Sequence, residues 1–148
     1  SPDDKELVQD GFCNGKYRVI VATIAFGMGI DIPDISTVIH YGLPKDIESY
    51  CQEIGRAARA PGSEATCYLL WGKGDMIVNG SFIKKLEDVH ERDYQQRKTN
   101  AMNKFVDNCY NCRMCYIAQY FEPESTPNKC LKCDICKRSQ SRSMEHLC

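Results

Sequence analysis

Arg56 and Arg59 stand three apart at the end of Gln52-Glu53-Ile54-Gly55-Arg56-Ala57-Ala58-Arg59, a segment that reads as a helix. That spacing sets two guanidinium groups on one helical face. A guanidinium is a rigid fork of donors that matches phosphate oxygens two at a time. Upstream, Val21-Ala22-Thr23-Ile24-Ala25-Phe26-Gly27-Met28-Gly29-Ile30-Asp31 reads as a buried strand running into a glycine-broken loop that closes on an aspartate. Gly27 and Gly29 allow a backbone to approach phosphate closely or to take positive φ. Strand, Gly-rich loop, strand and Arg-bearing helix, in that order, describe one wall of a cleft for a nucleoside triphosphate. The arginines are then expected at the edge where the strands of the sheet end.

The second constellation is sulfur. The chain has ten cysteines, six of them in two Cys-x-x-Cys-x-x-Cys triplets, Cys109/Cys112/Cys115 and Cys130/Cys133/Cys136. This is metal-ligand spacing rather than disulfide spacing. Zinc takes four ligands in a tetrahedral shell. The second triplet offers three, and spacing leaves the fourth open among Cys109, Cys112, Cys115, His146 and Cys148. An iron–sulfur run asks for a further cysteine four residues on, followed by proline; Gln119 and Gln140 stand there instead. Four thiolates around zinc carry a formal −2, which Arg113, Lys129, Lys132 and Lys137 can balance. A shell filled by protein has no open position and is structural.

The elements that position these groups follow from periodicity. Lys5–Phe12 reads as the last turns of an amphipathic helix. Tyr17–Thr23 is β-rich and almost continuously apolar, as in a strand covered on both faces. Thr37–Tyr41 is a second strand, Asp46 caps a helix carrying Ile47, Tyr50, Cys51, Ile54 and Ala58, Pro61-Gly62 breaks that helix, and Ala65–Trp71 is a third strand. Strands alternating with helices predict a parallel α/β sheet. After Trp71 the pattern turns helical: Lys73–Leu86, then a stretch from Asp88 to Phe121 without Gly or Pro, with Tyr94, Met102, Phe105 and Val106 as its buried stripe. Cys130–Cys136 forms a knuckle, and residues 139–148 form a flexible tail. Cys109 and Cys115 read as small apolar helix residues, and Tyr116, Tyr120 and Phe121 as helix packing.

The charge is uneven. Residues 1–83 hold 7 Lys/Arg against 11 Asp/Glu, whereas residues 84–148 hold 12 against 9. The basic second half is compatible with a nucleic-acid partner. No apolar run approaches the ~20 residues that span a membrane, and no signal-peptide pattern opens the chain. Thiols in metal spacing point to a reducing interior: intracellular, nuclear in a eukaryote and cytoplasmic otherwise.

The loop closing on Asp31 and the helix beginning at Gln52 resemble motifs V and VI of superfamily 2 helicases. The run Ser-Tyr-Cys-Gln-Glu-Ile-Gly-Arg resembles the RecQ family of DNA helicases in particular. The resemblance covers residues 5–138. It implies an α/β fold: part of the second RecA-like parallel-sheet lobe over residues 1–72, followed by a small helical zinc-binding domain over 73–138. It implies that Arg59 is an arginine finger on the γ-phosphate and Arg56 its support. Gln52, Asp31 and Gly29 then serve the nucleotide, and Thr23 and Gly27 the DNA backbone. Cys112-Arg113 followed by Tyr120-Phe121 resembles the RecQ zinc module, which implies Cys112, Cys130, Cys133 and Cys136 as ligands. The implied cofactors are structural zinc here, with ATP and magnesium held by a first RecA-like lobe. The implied partners are that lobe and DNA, single-stranded or at duplex junctions, in 3′ to 5′ unwinding for repair or recombination. No Walker-type loop and no Asp-Glu-x-His box occurs in the chain, so it is expected to hydrolyse no ATP alone. RecQ proteins usually read Gly-Arg-Ala-Gly-Arg-Asp-Gly. Here Ala58 and Ala60-Pro61-Gly62 depart from that pattern, and in a helix alanine is favoured over glycine. The alternative class is a non-enzymatic zinc-stabilised DNA- or protein-binding module derived from a helicase lobe.

Overall fold

Strand β1 (Thr37–Tyr41) forms where Thr, Val, Ile and Tyr crowd together, types suited to a pleated, half-buried surface. Gly42 follows at φ 105°, which glycine adopts freely, and turns the chain toward Asp46. Asp46 caps helix α2 (Ile47–Ile54), its Oδ1 accepting from the Ser49 N–H at 2.7 Å. Strand β2 (Thr66–Leu70) pairs with β1. Thr66 N–H donates to Ser36 O at 3.0 Å and Gly42 N–H to Leu70 O at 2.8 Å. Partners advance together along both strands, so the pair is parallel and α2 is its crossover. The structure, a computed structural model, describes residues 2–23 and 35–145. The chain divides into one unit of Ser1–His40 with Cys51–Leu69 and a second of Tyr41–Tyr50 with Leu70–Cys148.

In the first unit, helix α1 (Pro2–Cys13) lies where the amphipathic pattern predicted one. The strand expected over Tyr17–Thr23 is absent. Tyr17 and Val19 are exposed and Val21 is 96% exposed. A doubly covered strand needs a neighbour to pair with, and the described sheet consists of β1 and β2 alone. Both strands alternate: Val38, His40, Cys67 and Leu69 are half-buried, and the opposite face leaves Ile39, Tyr41, Tyr68 and Leu70 exposed. His40 Nε2 meets Glu53 Oε2 at 2.6 Å, tying β1 to the crossover helix.

The second unit is helical: α3 (Lys73–Lys84), α4 (Val89–Asp107), α5 (Arg113–Phe121) and α6 (Asp134–Glu145). Asp88 caps α4 by accepting from the Glu91 N–H at 2.8 Å. The buried stripe of α4 is Thr99, Met102, Phe105 and Val106. Tyr94 is not part of it; its ring is half-exposed, with the Lys98 Nζ 5.4 Å from the centroid. Phe105 is the hub, its ring 5.4 Å from Tyr50 and 5.6 Å from Tyr116. Tyr116 and Tyr120 thus pack within the helices, and Phe121 is half-exposed. Helix α6 continues to Glu145 through residues read as a flexible tail. No Gly or Pro interrupts it, Arg138 pairs with Asp134 one turn back, and Ser139 and Ser141 hydroxyls donate to the carbonyls of Ile135 and Lys137.

A charged ladder fastens the start of α2 to these helices. Lys98 Nζ lies 3.0 Å from Asp46 Oδ2 and 3.3 Å from Glu48 Oε1, and the Tyr120 hydroxyl donates to Glu48 Oε1 at 2.9 Å. Asp46 is 1% exposed. Burial opposes its charge, but bonds from Ser49 and Lys98 prevail and hold its carboxyl below the usual range. Burial likewise opposes charge on Lys98, and Asp46 and Glu48 raise it regardless. Burial and Glu48 push the Tyr120 hydroxyl up to about 12. The Asp46 contribution is present above its unfolded value near 3.8 and is lost as pH falls through the lower folded value. The Lys98 contribution is present below 10.5 and is lost as pH rises through the higher folded value. Asp46→Ala removes a cap and leaves Lys98 to Glu48 alone, an expected loss of about 1–2 kcal/mol readable by urea unfolding at pH 7. The difference from the parent shrinks as pH falls below 3.8 through the lower folded value.

Candidate metal centre and the arginine turn

Helix α4 ends at Asp107, and an Asn-centred turn re-aims the chain. Asn108 Oδ1 accepts from the N–H groups of Tyr110 (3.1 Å) and Asn111 (3.0 Å), while its Nδ2 donates to Asn111 O at 2.8 Å. This delivers Cys112 to the cap position of α5. Across from it, the knuckle from Cys130 turns at Leu131, φ 59°, and enters α6 near Cys136. The sulfurs of Cys112, Cys130, Cys133 and Cys136 all lie within 4.8 Å of one another. Cys112 Sγ is 3.4 Å from Cys130 Sγ and 3.9 Å from Cys133 Sγ. A zinc tetrahedron with ~2.3 Å bonds has edges of about 3.8 Å, whereas a disulfide is ~2.05 Å. The spacing fits the metal and excludes the crosslink.

The peptide groups around the sulfurs favour thiolate. Cys130 N–H points to Cys112 Sγ at 3.3 Å, Cys133 N–H to Cys130 Sγ at 3.3 Å and Arg113 N–H to Cys133 Sγ at 3.5 Å. Burial works against charge on Cys112, but N–H groups of Cys130 and Cys115 and neighbouring thiols bring it down to about 6. Cys133 is lowered the same way against burial. Burial and the adjacent sulfurs push Cys136 up to about 12. Zinc, whose ligands must be deprotonated, is what lets all four carry charge together.

Arg113 braces this site. Its Nε and Nη2 meet both carboxylate oxygens of Asp134 at 3.0 and 3.1 Å, and its Nη1 donates to the Phe105 carbonyl at the end of α4. The Arg113 guanidinium also lies 5.3 Å from the Phe105 ring centroid. One side chain therefore ties the end of α4 and the start of α6 to the ligand before it. Sequence reasoning assigned Arg113 only charge balance; its adjacency to Cys112 was the available signal. Cys109, read as an apolar helix residue, is instead exposed in the turn before α5. Cys115 does lie in α5 and is half-buried.

The arginines are not on a helix. Helix α2 stops at Ile54, and its bonds tighten into a turn: Arg56 N–H to Glu53 O at 3.3 Å and Ala57 N–H to Ile54 O at 3.1 Å. Ala58 then takes φ 53°, and its N–H donates to Ile35 O at 2.9 Å. Arg59 is exposed with Nε 3.3 Å from Gly55 O, and Arg56 is half-buried. Because Ile35 precedes β1, this turn sits where the paired strands begin, not where they end. A parallel crossover dictates that return: the helix runs back along the sheet before β2 can start.

Two families match along the chain: the helicase conserved C-terminal domain over residues 1–61 and RecQ zinc-binding over residues 73–137. A putative ATP-dependent RNA helicase of Acanthamoeba polyphaga mimivirus is 40% identical over 92% of this chain and 24% of its own length. A putative ATP-dependent DNA helicase Q1 of Caenorhabditis briggsae is 38% identical over 95% and 22%, and the ATP-dependent DNA helicase Q1 of Mus musculus 39% over 95% and 21%. The chain carries a helicase C-terminal segment followed by a RecQ zinc-binding segment. It spans less than a quarter of the length of these relatives.

Within the RecQ zinc module, the four clustered sulfurs are those that the Cys-Arg and Tyr-Phe landmarks implied, and they suit a structural zinc. In the helicase portion, Gln52 is exposed on α2 and Thr23 is exposed. Asp31, Gly27 and Gly29 lie outside the described residues. The structure brings Arg56 and Arg59 into one turn. Ala58 overturns the expectation that a helix favours alanine there. The RecQ pattern has glycine at this position, and left-handed φ disfavours any Cβ by about 1–2 kcal/mol. Ala58→Gly is therefore expected to stabilise the chain by about 0.5–1 kcal/mol after glycine's larger entropy loss, measured by urea unfolding.

Proposed function

We propose that this chain is the part of an ATP-dependent 3′ to 5′ DNA helicase that carries most of the second motor lobe and its zinc module. The supporting observation is the joining of a helicase C-terminal domain to a RecQ zinc module whose four sulfurs cluster at metal distances. Arg59 is the finger that neutralises charge developing on the γ-phosphate, and Arg56 steadies it. For that role the facing lobe meets the edge where β1 and β2 begin. Gln52, Asp31 and Gly29 serve the nucleotide; Thr23 and Gly27 take DNA phosphates, so that closure on ATP shifts the grip along the strand. The first lobe supplies the phosphate loop and magnesium. The zinc is structural: its chemistry is to crosslink four sulfurs, and the chain's own part is to present them with Arg113 as brace. We place the protein inside the cell, in the nucleus of a eukaryote, acting on single strands and duplex junctions in repair or recombination.

RNA as the track is a second reading, favoured by the printed name of the mimiviral relative. One assay separates these cases. The chain alone is expected to release no phosphate from ATP. Joined to its first lobe it is expected to hydrolyse ATP faster with single-stranded DNA than with RNA of the same sequence. Turnover by the chain alone, or stimulation by RNA and not DNA, contradicts the proposal; binding without any turnover by the joined protein supports the non-enzymatic alternative.

A further inference from the structure

We propose that Lys98, Glu48 and Tyr120 are positioning residues for ATP hydrolysis: they grip the first turn of α2 and so set where that helix presents the arginine turn. The role rests on Arg59 being the finger that acts on ATP. Lys98 Nζ lies 3.0 Å from Asp46 Oδ2 and 3.3 Å from Glu48 Oε1, and the Tyr120 hydroxyl donates to the same Glu48 oxygen at 2.9 Å. Thr99, next to Lys98 on α4, donates its hydroxyl to the Lys45 carbonyl at 3.0 Å. Two residues beyond Glu48, the Tyr50 ring lies 5.4 Å from that of Phe105. Positions 46, 48 and 50 are thus held from α4 and α5 at once, so α2 can neither slide nor turn about its axis.

Stability alone does not call for this arrangement. The cap is made by Asp46 Oδ1 with the Ser49 N–H and does not involve Glu48. Glu48 Oε2 is buried and accepts no hydrogen bond among the described residues, which is unfavourable. A buried ion pair contributes little net stability, and its best-attested use is to fix one register. What that register serves lies at the other end of α2. The helix begins in the second unit and ends in the first at Ile54, and the turn bearing Arg56 and Arg59 follows directly. Ile54 is about 9 Å along the axis from Glu48, so a tilt of roughly 6° at the grip moves the arginine turn by about 1 Å. A misplacement of that size lowers a rate by up to ~10²-fold.

The test measures kcat and KM for ATP of the complete motor, first lobe included, with Lys98→Met and Arg59→Ala made singly and together. Lys98→Met keeps the apolar stem and removes the charge. Expected is a roughly 30-fold fall in kcat with KM for ATP within about twofold of the parent, because the finger acts on the transition state. In the Arg59→Ala background the same substitution should change kcat by less than about twofold, since the group it positions is gone. Lys98→Arg, whose fork also reaches both carboxylates, should restore most of the rate. An equal fold loss in both backgrounds is the mark of a smaller folded fraction and overturns the proposal, as does an unchanged kcat in the parent background. If Lys98→Met folds poorly, Tyr120→Phe, which deletes one hydroxyl, carries the same cycle with an expected fall of about threefold. An Arg59→Ala motor as fast as the parent contradicts the finger itself, and so is told apart from a failure of the grip alone.

Discussion

Serine at position 133 is expected to strip the chain of its metal and unfold the part of the second unit built around it. Cys133 contributes a sulfur 3.9 Å from Cys112 Sγ and receives the Arg113 N–H, so its loss opens the shell and slackens the brace at once. Structural zinc in small modules is worth ~10–16 kcal/mol of apparent binding energy, comparable with the whole ~5–15 kcal/mol stability of a domain. The buried apolar side chains of α5 and of the start of α6 are few: Ile117 and Ile135, besides the sulfurs of Cys112 and Cys136. Such a core cannot hold α5 and α6 in place without the crosslink. Metal analysis of Cys133→Ser should find no zinc, and its circular dichroism should lose helical signal that the parent loses only on chelation. A variant that keeps its zinc, or keeps full helicity without it, contradicts this account. Arg113→Lys should give an intermediate result, because an ammonium cannot bridge both Asp134 oxygens and the Phe105 carbonyl.

Arg59→Ala is expected to lower DNA-stimulated ATP hydrolysis by the complete motor about 10³-fold or more while leaving DNA affinity near the parent value. The expectation rests on the exposed guanidinium of Arg59, which is presented by a backbone turn rather than a helix face. Ala58 fixes the direction of that turn with its positive φ and its bond to Ile35 O. Arg59→Lys should not rescue the rate, since a point charge lacks the fork that spans two phosphate oxygens. An unchanged rate in Arg59→Ala would show that the finger lies elsewhere.

The parts of this structure that short-range chemistry specifies were readable from residues. Thr37–Tyr41, the Asp46 cap and Lys73–Lys84 each follow from local propensity, capping or periodicity. The sulfur cluster was readable in part: the second triplet by spacing, Cys112 only through its resemblance to a family. What failed depended on distant partners. Tyr17–Thr23 has strand composition, but a strand exists only when paired. Tyr94 fits the apolar stripe of α4 by spacing, yet its ring stays half-exposed with the Lys98 ammonium over it rather than an apolar partner. The helical reading of Arg56 and Arg59 failed because Gly55 and the Ile35 carbonyl outweigh alanine's preference for helix. The Asp46–Lys98–Glu48–Tyr120 ladder joins residues up to 72 positions apart, which no local pattern reveals.

Metal analysis of the purified chain as isolated, reading zinc and iron per polypeptide, tests the central claim most directly. One equivalent of zinc and no iron is the predicted result. No bound metal, or iron with the visible absorption of a cluster, would contradict it.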